Sequence, residues 1–83
     1  MSYYLDIDRI AQDSIGALPT EALSELAEAM TVLQVTPWNG NPQNPANPDG
    51  PMRNLAFGAA GLLTYLILET EQRVDVLLLT WAG

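Results

Sequence analysis

Residues 61–81 read GLLTYLILETEQRVDVLLLTW, and the fold turns on whether this is one membrane-crossing helix or two strands. A bilayer helix needs about 20 uninterrupted apolar residues. Here Glu69-Thr70-Glu71-Gln72-Arg73 divides the stretch into two runs too short to span. Leu62–Leu68 and Val74–Trp81 are each apolar at nearly every position and rich in Leu, Ile, Val, Tyr and Trp. Such runs fit strands, and the polar five between them have the length of a hairpin loop. The rest of the chain reads as what covers this hairpin.

Working outward, Arg53–Phe57 (RNLAF) reads as a short strand and Gly58–Gly61 as a turn, which adds a third strand to an antiparallel meander. Before it, residues 36–52 form an Asn/Pro-rich loop. Asn41-Pro42, Asn44-Pro45 and Asn47-Pro48 recur every third residue, the period of a polyproline II turn. Trp38 is expected to anchor this loop and Asp49-Gly50 to close it. A loop this long in so small a domain is either functional or a stiff spacer. Asn47 and Asp49 with a single carboxylate make a poor calcium site.

At the N-terminus, residues 2–7 alternate, with Tyr3, Leu5 and Ile7 on one face and Tyr4 and Asp6 on the other, as a half-buried strand does. Asp8 is placed to cap a helix over 8–17 whose inward stripe is Ala11, Ile15 and Leu18. Pro19 ends it. Thr20 is expected to cap a second helix over 20–35, with Leu23, Leu26, Ala27, Met30 and Leu33 inward and Glu21, Glu25 and Glu28 in water. The order is strand 2–7, helices 8–17 and 20–35, loop 36–52, then strands 53–57, 62–69 and 73–81. One α+β domain results, a two-layer sandwich of a meander on a helical hairpin.

Composition removes whole classes of chemistry. The 83 residues include no Cys and no His, so thiol nucleophiles, disulfides, histidine bases and the usual metal ligands are absent. No metal or cofactor is expected. Three basic residues against ten acidic ones give a net charge of −7, which opposes binding to free DNA, because gripping phosphates needs Lys and Arg. Most of the acid lies in the helical half, where Arg9 faces six carboxylates. The opening MSYYLDID has neither the basic region nor the apolar run of an export signal, so the expected location is the cytoplasm, without a membrane partner.

Strand–helix–helix–meander at this length resembles the RelE/ParE superfamily of type II toxin–antitoxin toxins, in a short, acidic, divergent form. MSYYLDID opens as RelE-like toxins do, and LPTEALSELAEAM (18–30) is similar to their second helix. Arg53-Asn54-Leu55, the glycine-containing turn and Tyr65 look like their strand motif, and Val74–Leu77 like their last strand. The Asn/Pro-rich loop is not typical of the family. The resemblance implies a β-α-α-β-β-β fold, an antitoxin partner, and, in RNA-cleaving members, cutting of mRNA at the ribosomal A site by activating a ribose 2′-hydroxyl. Basic side chains stabilise the phosphate charge in that reaction, each worth about 3 kcal/mol.

On that resemblance Arg53 stands near the basic position of the first meander strand, with Tyr65 and Arg73 as helpers. Leu62 stands where an arginine is expected, and the arginine and tyrosine that follow the family's last strand have no counterpart before Gly83. The expectation is a toxin with weak or no RNA cleavage, working through protein contact. Alternatives are a gyrase-inhibiting ParE-type toxin and a catalytically dead orphan. Each residue also has a plain structural reading: Arg53 paired with a helix carboxylate, Tyr65 in the core, Arg73 beside Glu69 or Glu71 in the turn, and Trp38 and Trp81 packing.

Two helices cover only one face of a sheet. Strict alternation puts Leu62, Leu66, Leu68, Val74, Val76 and Leu78 on one side, and Leu63, Tyr65, Ile67, Leu77, Leu79 and Trp81 on the other. The latter six are the expected partner-binding surface, for an antitoxin or for a second copy.

Overall fold

The computed structural model describes residues 2–82. Strand β1 (Tyr4–Ile7) leads into helices α1 (Arg9–Gly16) and α2 (Thr20–Val35), a 3-10 turn (Pro37–Asn39) and a two-residue strand β2 (Asn41–Pro42). The meander follows as β3 (Met52–Phe57), β4 (Gly61–Leu68) and β5 (Arg73–Trp81). The five strands form one sheet in the order β1-β5-β4-β3-β2. All neighbours are antiparallel except β1, which lies parallel to β5 with Leu5 opposite Val74 and Ile7 opposite Val76. The α+β two-layer architecture is as expected. No helix is long and apolar enough to cross a membrane among the described residues.

Local chemistry explains most boundaries. The Asp8 carboxylate accepts from the Ile10 amide at 3.2 Å and caps α1, and Ala11 is fully buried with Ile15 and Leu18 packed beside it. Helix α2 departs from expectation in two ways. Pro19, not Thr20, occupies its N-cap, without a side-chain cap bond, and Thr20 is already helical. Its buried stripe is Ala22, Leu26, Ala29 and Leu33, while Leu23 and Ala27 face solvent. With the buried stripe at 22, 26, 29 and 33, the helical step of 3.6 residues per turn carries positions 23 and 27 to the solvent side.

The Asn/Pro loop is not a polyproline II segment. The Asn47 amide donates to the Asn44 carbonyl (2.9 Å) and the Gly50 amide to the Asn47 carbonyl (3.0 Å). The three-residue period is thus that of consecutive tight turns, reinforced by the Asn44 side chain accepting from the Ala46 amide at 3.0 Å.

A bulge in β5 corrects the sheet-face assignment. Thr64 pairs with Leu78 and Tyr65 with Val76, leaving Leu77 without a partner. One extra residue reverses the alternation beyond it. Val74 and Val76 therefore join Leu63, Tyr65, Ile67 and Leu79 under the helices, all buried. Trp81 is partly buried, its ring 5.9 Å from that of Phe57. The six residues expected on an open face are, Leu77 apart, on or packed against the covered one. The open face carries Leu62 and Leu78, 39% and 43% exposed, with half-buried Met52, Leu66 and Leu68, interrupted by Asp6, Thr64, Arg73, Asp75 and Thr80.

Candidate functional site

Arg53 and Tyr65 are direct cross-strand partners between β3 and β4, and both point into the protein. Arg53 is only 8% exposed. Its Nε donates to the Gly50 carbonyl at 2.9 Å, Nη2 to Pro48 at 2.8 Å, and Nη1 to Gly40 at 3.1 Å and, at a longer 3.5 Å, to Trp38. Its guanidinium carbon lies 5.0 Å from the Trp38 ring centroid, within reach of a cation–π contact. The planar fork of Arg suits this multiple task. It gathers the loop from Trp38 to Gly50 around one cation, with no carboxylate partner among the described residues.

Tyr65 is fully buried, and its hydroxyl donates to the Pro37 carbonyl at 2.6 Å. Burial pushes its phenol above the usual value, with the nearby Arg53 charge and a Gly40 backbone hydrogen bond pulling the other way. A Cβ on Gly40 would collide with the Tyr65 hydroxyl and lie 2.8 Å from the Asn54 carbonyl oxygen. The chain passes this point because residue 40 has no side chain.

Arg73 is on the open sheet face, away from both. It pairs with Asp75 at 2.8 Å, not with Glu69 or Glu71. This partner and, to a smaller extent, more distant carboxylates raise its pKa. The three site candidates therefore do not converge. The remaining basic residue, Arg9, is exposed at the start of α1, so the described residues assemble no cationic groove. Nor do any three His, Cys, Asp or Glu among them lie close enough to hold a metal ion.

Two features escaped the sequence reading. Glu69 accepts from the Tyr3 hydroxyl (2.8 Å), Trp38 Nε1 (2.9 Å) and Gln72 Nε2 (2.8 Å). Trp38, Tyr3 and Gln72, in that order, hold its carboxyl below the usual range, and the same contact raises the Tyr3 phenol. Tyr3 and Trp38 are remote from Glu69 in sequence, so no local pattern announces the cluster. The second feature is a groove between α2 and β3, bounded by Glu25, Glu28, Ala29, Val32, Leu55 and Phe57.

No protein-family model matches the sequence, and no curated protein does. Solved structures match over the full fold. A chain of the RelBE2 toxin–antitoxin complex of Mycobacterium tuberculosis superimposes with a TM-score of 0.83 at 20% identity, covering 99% of this chain and 100% of that one. The isolated RelE toxin of E. coli gives 0.79 at 16% identity, over 98% of this chain and 85% of that one. The archaeal RelE–RelB complex of Pyrococcus horikoshii gives 0.66 at 15% identity, over 100% and 98%. At these identities the likeness speaks to backbone architecture: the chain has the fold of the RelE toxins.

Proposed function

We propose that this protein is the toxin member of a two-protein toxin–antitoxin module, neutralised by a protein antitoxin, with little or no ribonuclease activity of its own. The observation that carries the second half is the state of its cations. RNA cleavage through a 2′-hydroxyl needs positive charge aimed at the scissile phosphate. Arg53 is consumed by the loop carbonyls and Arg73 by Asp75, while Arg9, at a helix start, is joined by no second cation among the described residues, in a chain of net charge −7. Tyr65 is buried against Pro37 and has no route to a substrate. Similarity in fold to chains from RelBE complexes supports the antitoxin partner.

Inducible expression tests both halves. The expected result is growth arrest without cleavage of translated mRNA, relieved by co-expressing the product of a small reading frame found beside this one. Codon-positioned mRNA cuts made by the purified chain with ribosomes, and abolished by Arg9→Ala or Arg73→Ala, would refute the non-cleaving reading. Arg53→Ala is unsuitable as a control, because it dismantles the loop.

A further inference from the structure

The α2–β3 groove has both a backbone and a charge signature. On one side β3 is paired with β4 throughout. On the other, β2 covers it only at Arg53 and Asn54, with Gln43 donating to the Met52 carbonyl. In an antiparallel ladder alternate residues turn their N–H and C=O to the same neighbour. Met52 and Asn54 face β2, so Ala56 presents both groups to an edge that no strand among the described residues occupies. Ala56 is exposed. Beside the helix the sheet edge thus offers the backbone groups of Ala56, while those of its neighbours Leu55 and Phe57 turn to β4.

The groove is graded along its length. At one end Glu25 lies over the β3–β4 turn, where a Cβ on Gly58 would meet its Oε1 at 2.5 Å. From Glu25 to Val32 the helix rises about 10 Å, and from Gly58 back to Leu55 the strand covers about the same. Val32 and Leu55 therefore form the apolar end, and Glu25 and Glu28 the acidic end. Neither glutamate has a cation partner among the described residues.

The geometry points to an extended, basic segment of the partner protein, added to the sheet as a strand at Ala56. An apolar side chain sits against Val32 and Leu55. A lysine or arginine two positions along the same face reaches Glu25 and Glu28. Backbone pairing supplies the binding mode, and the two carboxylates select basic over acidic segments. A helix laid in the groove would leave the Ala56 groups unpaired, and a second copy of this chain, at −7, would bring like charge to the acidic end. The inference rests on reading the chain as one half of a two-protein module.

The probe is an acetylated, amidated peptide Thr-Thr-Val-Thr-Lys-Thr-Thr, titrated into the isotope-labelled full chain and followed by NMR. Amide shifts centred on Ala56, Val32 and Glu25 are expected. A Glu-for-Lys peptide, and the Lys peptide with the Glu25→Gln/Glu28→Gln variant, are expected to bind about tenfold more weakly, as loss of two solvent-facing ion pairs implies. Shifts elsewhere only, or equal binding of the two peptides, would overturn the placement. A neutralising partner from the adjacent frame that leaves those three residues unperturbed would overturn the placement and leave the module standing. Peptide binding as expected, with no toxicity to neutralise, would support the groove and overturn the module.

Discussion

Replacing Arg53 with methionine tests the central structural assignment, because it keeps the length of the aliphatic stem and removes the fork. The Gly50 and Gly40 carbonyls accept buried bonds from Arg53, at 2.9 and 3.1 Å; the Pro48 and Trp38 bonds are partly open to water. A buried acceptor left without its donor costs about 1–3 kcal/mol, and the stacked Trp38 contact adds about 1 kcal/mol. Relief from burying a guanidinium offsets part of this. A net loss of about 3 kcal/mol remains, against a total stability of about 5–10 kcal/mol for a domain of this size. Melting should fall by about 10–20 °C. Calorimetry reads the shift, and Trp38 fluorescence reports whether the loop detaches first.

Arg53→Lys separates a structural fork from a functional charge. Lysine keeps the cation but presents a compact ammonium that lacks the planar fork, so it should be destabilised nearly as much as Arg53→Met. If both variants melt within about 2 °C of the parent while toxicity disappears, Arg53 serves a ligand and not the loop, and the reasoning fails.

Tyr65→Phe removes the 2.6 Å bond to the Pro37 carbonyl in a fully buried site and should cost about 1–2 kcal/mol in urea unfolding, with toxicity retained in the cold. Gly40→Ala drives a methyl into the Tyr65 hydroxyl and toward the Asn54 carbonyl; a loss of about 2 kcal/mol or more is expected, partly rescued in the Tyr65→Phe background, where the hydroxyl is gone. Glu69 has a lowered pKa in the folded state, so its contribution is present above the ordinary carboxylate pKa and lost as pH falls through the folded value. Trp38 emission should therefore shift at acid pH, and Glu69→Gln should abolish that transition. Tyr3 has the opposite sign: its raised pKa means its contribution is full below the unfolded phenol value and lost as pH rises through the folded one.

The architecture was legible because hydrophobic pattern and punctuation agree. Two apolar runs flank ETEQR, Asp8 caps α1, and Pro19 separates the helices. The sheet faces were not legible, because the run VLLL at 76–79 is apolar at every position. No pattern there marks Leu77 as the bulge, which only the register with β4 reveals. The partners of Arg53 and Tyr65 were not legible for a related reason. Sequence supplies residue type, but burial and partner decide whether an arginine meets a phosphate or a backbone carbonyl. Its carbonyl partners lie 3, 5, 13 and 15 residues away, in a loop whose turns the Asn-Pro spacing did encode, though as a different conformation.

The arginine and the loop are physically coupled. An arginine on the covered side of a sheet needs compensation for its lost hydration, and the long loop supplies it as a ring of carbonyls. The loop is therefore the counterpart of the arginine, and the two must be kept or lost together: shortening the loop without replacing Arg53 would strand a buried cation, and replacing Arg53 alone would strand the carbonyls. On the proposed reading, a cation fixed in this way is withdrawn from phosphate chemistry. On the same reading, what the chain offers a partner is backbone edge, apolar surface and carboxylates, and the α2–β3 groove is where all three coincide.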